Sequence, residues 1–224
     1  MRLIVFDCDG TLVDSQHMIV EAMTAAFMAS RLPVPERAKM LRHVGLSVIE
    51  AMTAMTELGD PGAIARLSAD YRTAFSALRR EATLTDPLFP GAREAIQALA
   101  AEDDVVLGIA TGKSRRGVDL LIEREGFEGL FATIQTADDA PSKPHPGMML
   151  QAMDAVGASA SETVMIGDTS FDMLMACAAK TRGIGVGWGY HDAAELLRAG
   201  AKKVAGDFKE LLEDLLPRGG VVAA

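Results

Sequence analysis

Strand-length apolar runs alternate with segments of helical period along most of this chain. "LIVF", "VVLGIA", "TVMI" and "GIGVG" are apolar throughout, as strands covered on both faces must be. "RRGVDLLIEREG", "PGMMLQAMDAVG" and "FDMLMACAAK" instead space their apolar residues for one face of a helix. The alternation predicts an α/β fold, a Rossmann-like and mainly parallel sheet with helices on both faces. One interval breaks the pattern. Between "LIVF" and "VVLGIA" lies a stretch far longer than a crossover needs, helical in spacing at Met18, Ala22, Ala25 and Ala29 and again at Ile64, Leu67, Tyr71, Phe75 and Leu78. Pro33, Pro35, Pro61, Pro87 and Pro90 punctuate it. This predicts an all-helical domain, residues 15–85, inserted into a core of residues 1–14 and 86–224.

The polar residues fall at the ends of the predicted strands. In "MRLIVFDCDGTLVDS", Asp7 and Asp9 follow the first apolar run directly. Two like charges there repel and lose hydration, so the pair persists where a cation, a proton or an anion-handling reaction needs it. Thr111 follows "VVLGIA" and Asp168 follows "TVMIG". In an open parallel sheet such carboxyl ends form the crevice that binds ligands. "SKPHPG" adds Lys143, and Asp172 shares a helix face with Asp168 four residues earlier. Carboxylates, a hydroxyl and a lysine, with no His/Cys cluster, favour Mg²⁺ over zinc and suit a phosphoryl group. Asp7 can then attack phosphorus to give an aspartyl phosphate, with Mg²⁺ and Lys143 shielding the negative charges of the reactants. Asp9, kept protonated, can protonate the departing alcohol and later take a proton from the hydrolytic water. Gly10 lets the backbone turn, and Thr11 is expected to support Asp9 by a hydrogen bond.

Composition narrows the setting. At 224 residues and 49% hydrophobic content the chain can bury a sizeable core. A net charge of −9 without a basic block works against nucleic acid and anionic lipid. No apolar stretch reaches the length of a membrane span, and Asp7 falls where a signal peptide would continue its apolar region. The expectation is a cytoplasmic protein, monomer or homodimer, with a small-molecule phosphate ester as its partner. Cys8 and Cys177 are read as packing residues, the methionines at 148, 149, 153, 173 and 175 as core, and His17, His43, His145 and His191 as structural or surface groups.

"DCDGTLVDS", "ATGK", "KPHPG" and "GDTSFD", in this order, resemble the four motifs of the haloacid dehalogenase-like hydrolase superfamily, and the inserted helices resemble its cap. "PLFPGAREAIQALA" and "VGWGYHDAAEL" are similar to the phosphoglycolate phosphatase group. The resemblance implies Asp7 as nucleophile and Asp9 as acid/base, with Thr111, Gly112 and Lys143 binding the phosphoryl group. It implies Mg²⁺ held by Asp7, the Asp9 backbone carbonyl and Asp168, with Asp172 in support. The second motif reads Thr-Gly where many relatives have Thr-Asn, which removes a possible side-chain contact. A phosphomutase resembling β-phosphoglucomutase shares the same motifs and cap. A receiver-type phospho-acceptor domain is much shorter and lacks the Asp-x-Asp-Gly-Thr arrangement. A phosphonatase would need a Schiff-base lysine in the inserted segment, where Lys39 is the only lysine. Substrate choice is expected in "LRHVGLSVIEAM", with Gly45 turning the chain, Ser47 capping a helix from Val48, and Arg42 and His43 flanking the loop. Arg42 is expected to pair with a substrate carboxylate.

Overall fold

The computed structural model describes residues 1–80 and 86–216; the expected domain boundary at residue 85 and the end of the expected core lie outside them. Six parallel strands form one sheet in the order β3-β2-β1-β4-β5-β6. They are β1 (Arg2–Phe6), β2 (Val105–Ala110), β3 (Phe131–Gln135), β4 (Thr163–Gly167), β5 (Arg182–Val186) and β6 (Lys203–Ala205). The sequence pattern finds four of these. It passes over β3, "FATIQ", which carries Thr133 and Gln135, and β6, which is three residues long at the sheet edge.

Because side chains alternate along a strand, β1 feeds two cores at once. Ile4 and Phe6 pack with Ile96 of α5 (Ala92–Ala100), Phe127 and Phe208 at the start of α10 (Phe208–Leu215). Leu3 and Val5 face the other way, into a methionine-rich layer from α7 (Gly147–Val156) and α8 (Ser170–Ala178). Met148, Met149, Met153 and Met175 fill that layer, while Met173 packs with Leu196 of α9 (Ala193–Arg198), so all five are core. A further helix, α6 (Arg115–Glu125), follows β2 and packs Val118 and Leu121 against Cys8 and Ile109. Both cysteines are free; Cys8 is buried, but Cys177 is exposed on α8, contrary to the packing role expected for it.

Between β1 and β2 come α1 (Gln16–Ala29), α2 (Arg37–Leu41), α3 (Val48–Met55) and α4 (Pro61–Arg80). These helices share an apolar cluster of their own, including Ile19, Met23, Phe27, Met40, Met52 and Leu67. The chain leaves and re-enters the sheet side by side: Asp14 N donates to Pro87 O at 2.8 Å and Phe89 N to Leu12 O at 2.9 Å. No helix among the described residues is long and apolar enough to cross a membrane.

Leu3 is fully buried at the centre of the sheet. Leu3→Ala should therefore cost about 2–5 kcal/mol, read as a lowered urea midpoint at unchanged slope.

Candidate active site

The carboxyl ends of β1, β2 and β4 meet at one point. Asp7 follows β1, Thr111 follows β2 and Asp168 follows β4, and all three side chains are buried. Lys143, 1% exposed, reaches between two carboxylates: its Nζ lies 2.8 Å from Asp7 Oδ2 and 2.6 Å from Asp172 Oδ1. Asp172 also closes the first turn of α8, accepting from the Thr169 backbone amide at 3.0 Å and its hydroxyl at 2.7 Å in a capping box. Both of its oxygens are thus committed.

Asp168 accepts from the Thr11 hydroxyl at 2.9 Å and from Tyr190 N at 2.9 Å. Thr11 therefore supports Asp168, not Asp9 as its position in the motif suggested. Asp9 turns the other way and pairs with Lys113, Nζ to Oδ1 2.6 Å. Burial works against its charged form, yet the charge and hydrogen bond of Lys113 outweigh this and hold the carboxyl below the usual range. The leaving-group role of Asp9 is conditional on its protonation, and the pairing with Lys113, the last residue of "ATGK", favours the charged form in this conformation.

One oxygen from each of Asp7, Asp168 and Asp172 lies within 4.8 Å of the other two. Asp7 Oδ2 accepts no directed hydrogen bond despite its ionic contact with Lys143. Burial pushes the Asp7 carboxyl up to about 6, opposed by Lys143 and reinforced by the charge of Asp172. Burial, then Asp172 and Asp7, push Asp168 well above its usual range. A buried cluster of hard oxygen donors, each repelling the next and set against a single ammonium, fits Mg²⁺. The Asp9 carboxylate is outside that cluster, so only its backbone carbonyl is left for the metal role expected of it. Gly10, at φ +83, admits no side chain, since a Cβ there would lie 2.2 Å from Asp168 Oδ2.

The loop before α3 comes down on this site. Gly45 takes φ +97, and Ser47 Oγ accepts from Glu50 N at 3.5 Å to cap α3. Ser47 N in turn donates to the hydroxyl of Ser142, the neighbour of Lys143, at 2.8 Å. A Cβ on Gly112 would meet Leu46 O at 2.5 Å and Gly45 O at 2.7 Å, so the loop backbone occupies the room a side chain at 112 would need. That accounts for glycine in the second motif. His43 lines the cavity below the loop and contacts Lys39 O at 2.7 Å. Arg42 does not line it. Its side chain is 64% exposed and its guanidinium pairs with Glu195 at 3.0 Å, while His191 Nε2 donates to its carbonyl at 3.1 Å. In this structure Arg42 thus links the loop to α9, outside the cavity where its carboxylate-binding role was expected. Lys39 donates to Met55 O at 2.9 Å, a helix-to-helix tie away from the carboxylates.

A cavity of about 500 Å³ extends from Asp7, Asp9, Thr111 and Gly112 up between α1, α3 and α4. Missed in the sequence as site residues were Lys113 and the inner face of α4, whose helical period was visible but whose direction was not.

The profile of the family described as haloacid dehalogenase-like hydrolase matches residues 4–186. The chain belongs to that family. It is 35% identical over 214 residues to a Dickeya dadantii protein named "Probable phosphatase IndB", covering 94% of this chain and 91% of that one. It is 30% identical to a phosphoglycolate phosphatase of Chromobacterium violaceum, covering 98% of each. The crystal structure of a hydrolase from Pseudomonas syringae superposes with a TM-score of 0.84 at 30% identity, covering 96% of this chain and 98% of its own.

The close approach at Gly112 carries one outcome. Gly112→Ala should push the 45–46 backbone away at a cost of about 1–3 kcal/mol, and the Ser47 amide should then exchange its hydrogen faster.

Proposed function

We propose that this phosphatase is a Mg²⁺-dependent phosphomonoester hydrolase that works through a phosphoaspartate on Asp7, with α1–α4 as a cap over the site. The observation that carries the reading is Lys143, buried between Asp7 and Asp172 at 2.8 and 2.6 Å, with Thr111 beside Asp7. A cation so placed holds Asp7 in line and meets the charge of an incoming phosphoryl group.

In this reading Asp7 Oδ forms a bond to phosphorus as the ester P–O bond breaks, and water later cleaves the acyl phosphate. Thr111, the Gly112 amide and Lys143 receive the non-bridging oxygens. Asp7, Asp168 and the Asp9 carbonyl would hold Mg²⁺, with Asp172 in support; bound there, the metal would supply charge neutralisation between the two anionic reactants. Asp9 as found is ready to take a proton from water in the second half. To protonate the leaving alcohol in the first half it must first part from Lys113.

Asp7→Asn should lower phosphate release from phosphomonoesters by about a thousandfold or more, because the amide cannot attack phosphorus. Residual turnover within about tenfold of wild type would remove Asp7 from the role. Steady release of inorganic phosphate separates a hydrolase from a mutase, which would isomerise a sugar phosphate without releasing it. Excess chelator should silence the enzyme and Mg²⁺ should restore it; full activity in chelator would refute the metal assignment.

A further inference from the structure

The cavity is built for more than a phosphoryl group. Its inner end holds Asp7, Thr111 and Gly112, but most of its wall is apolar, from Met23, Leu46, Met52, Tyr71 and Phe75. A volume of about 500 Å³ is that of a pocket for a ring-bearing small molecule, far beyond a two-carbon acid.

One helix supplies both the apolar wall and an excess of positive charge. Tyr71, Phe75 and Arg79 recur at four-residue intervals on α4, and Arg72, Ser76 and Arg80 form the adjacent row; all six line the cavity. Tyr71 and Phe75 lie with ring centroids 5.8 Å apart, and the Arg79 guanidinium stands 5.1 Å from the Phe75 centroid, which places its charge at the edge of the apolar wall. Five basic residues line the cavity, Arg72, Arg79, Arg80, Lys113 and Arg116, against two acids, Asp7 and Asp9. This is an inversion within a chain of net charge −9. Lys113 is taken by Asp9, and the transferred phosphoryl group falls to Lys143 and Thr111, which leaves the arginines of α4 as surplus to it.

We propose that the cavity selects phosphomonoesters whose leaving group has an apolar, ring-sized body and carries a second negative charge, the body lying on Tyr71 and Phe75 and the charge received by Arg72, Arg79 and Arg80 of α4. This rests on the phosphatase reading and assigns the class of substrate.

Three phosphates with leaving alcohols of similar acidity test it: ethyl phosphate, 2-phenylethyl phosphate and 2-(4-carboxyphenyl)ethyl phosphate. Their affinities are measured by calorimetry on Asp7→Asn protein with Mg²⁺, so that binding is read apart from turnover. The ring should tighten binding by about tenfold or more over ethyl phosphate, and the carboxylate by about another tenfold. In the same background, the combined R72Q, R79Q and R80Q substitutions should abolish the second gain and leave the first. The affinity for ethyl phosphate should hold steady and serve as the check on folding. Equal affinity for ethyl and phenylethyl phosphates overturns the proposal, and so does a carboxylate gain that survives the three glutamines. Phosphate release from the same esters by the wild-type enzyme is the separate measure of the phosphatase reading, and its absence would defeat that reading whatever the affinities show.

Discussion

A single ammonium group, on Lys143, organises this structure. Removing such a charge from water is costly unless carboxylates repay it, and here two of them do. The consequences reach outward. Asp172 can meet Lys143 only because it sits in the first turn of α8, where its other oxygen closes the capping box with Thr169. Asp7 can meet it only from the end of β1, whose alternating side chains anchor both faces of the sheet. One ion-paired lysine thus ties the central strand, the loop before α7 and the start of α8 into a common geometry. Three carboxylates against that one cation still leave the centre electron-rich, and this surplus is what makes a divalent cation fit there.

The sequence reading reached the frame of the site because the relevant signals are local. A run of apolar residues ended by a polar one fixes where a strand stops, and parallel packing then brings Asp7, Thr111 and Asp168 together. Ser47 and Gly45 were legible for the same reason, since caps and turns are decided by neighbours in the chain. Readings that depended on distant partners fared worse. Arg42 looked free until Glu195, over a hundred residues away, occupied its guanidinium. Thr11 looked like a partner for Asp9 until Asp168 took its hydrogen bond, and Asp9 looked like a protonated acid until Lys113 paired with it. Strands β3 and β6 escaped for another reason: one carries polar residues and the other is too short to show a period.

Gly112 illustrates how one position can be both a departure and a fit. Considered along the chain, it is a lost side-chain contact. In space it is a seat for the carbonyls of Gly45 and Leu46, so the turn after β2 and the loop of the helical body are matched surfaces. The same body supplies the wall of the cavity through α4, while the sheet supplies its acids. The acids and the apolar wall of the cavity therefore come from different parts of the chain.

The two connecting segments leave and return as a hydrogen-bonded pair, Asp14 to Pro87 and Leu12 to Phe89, a few residues beyond Asp9. Two backbone hydrogen bonds hold the outgoing and returning segments in register, so they cross between sheet and helices as a two-stranded ribbon and not as separate threads. A displacement of one segment is passed directly to the other, which ties the position of the helical body to the same short stretch of backbone that carries the acids.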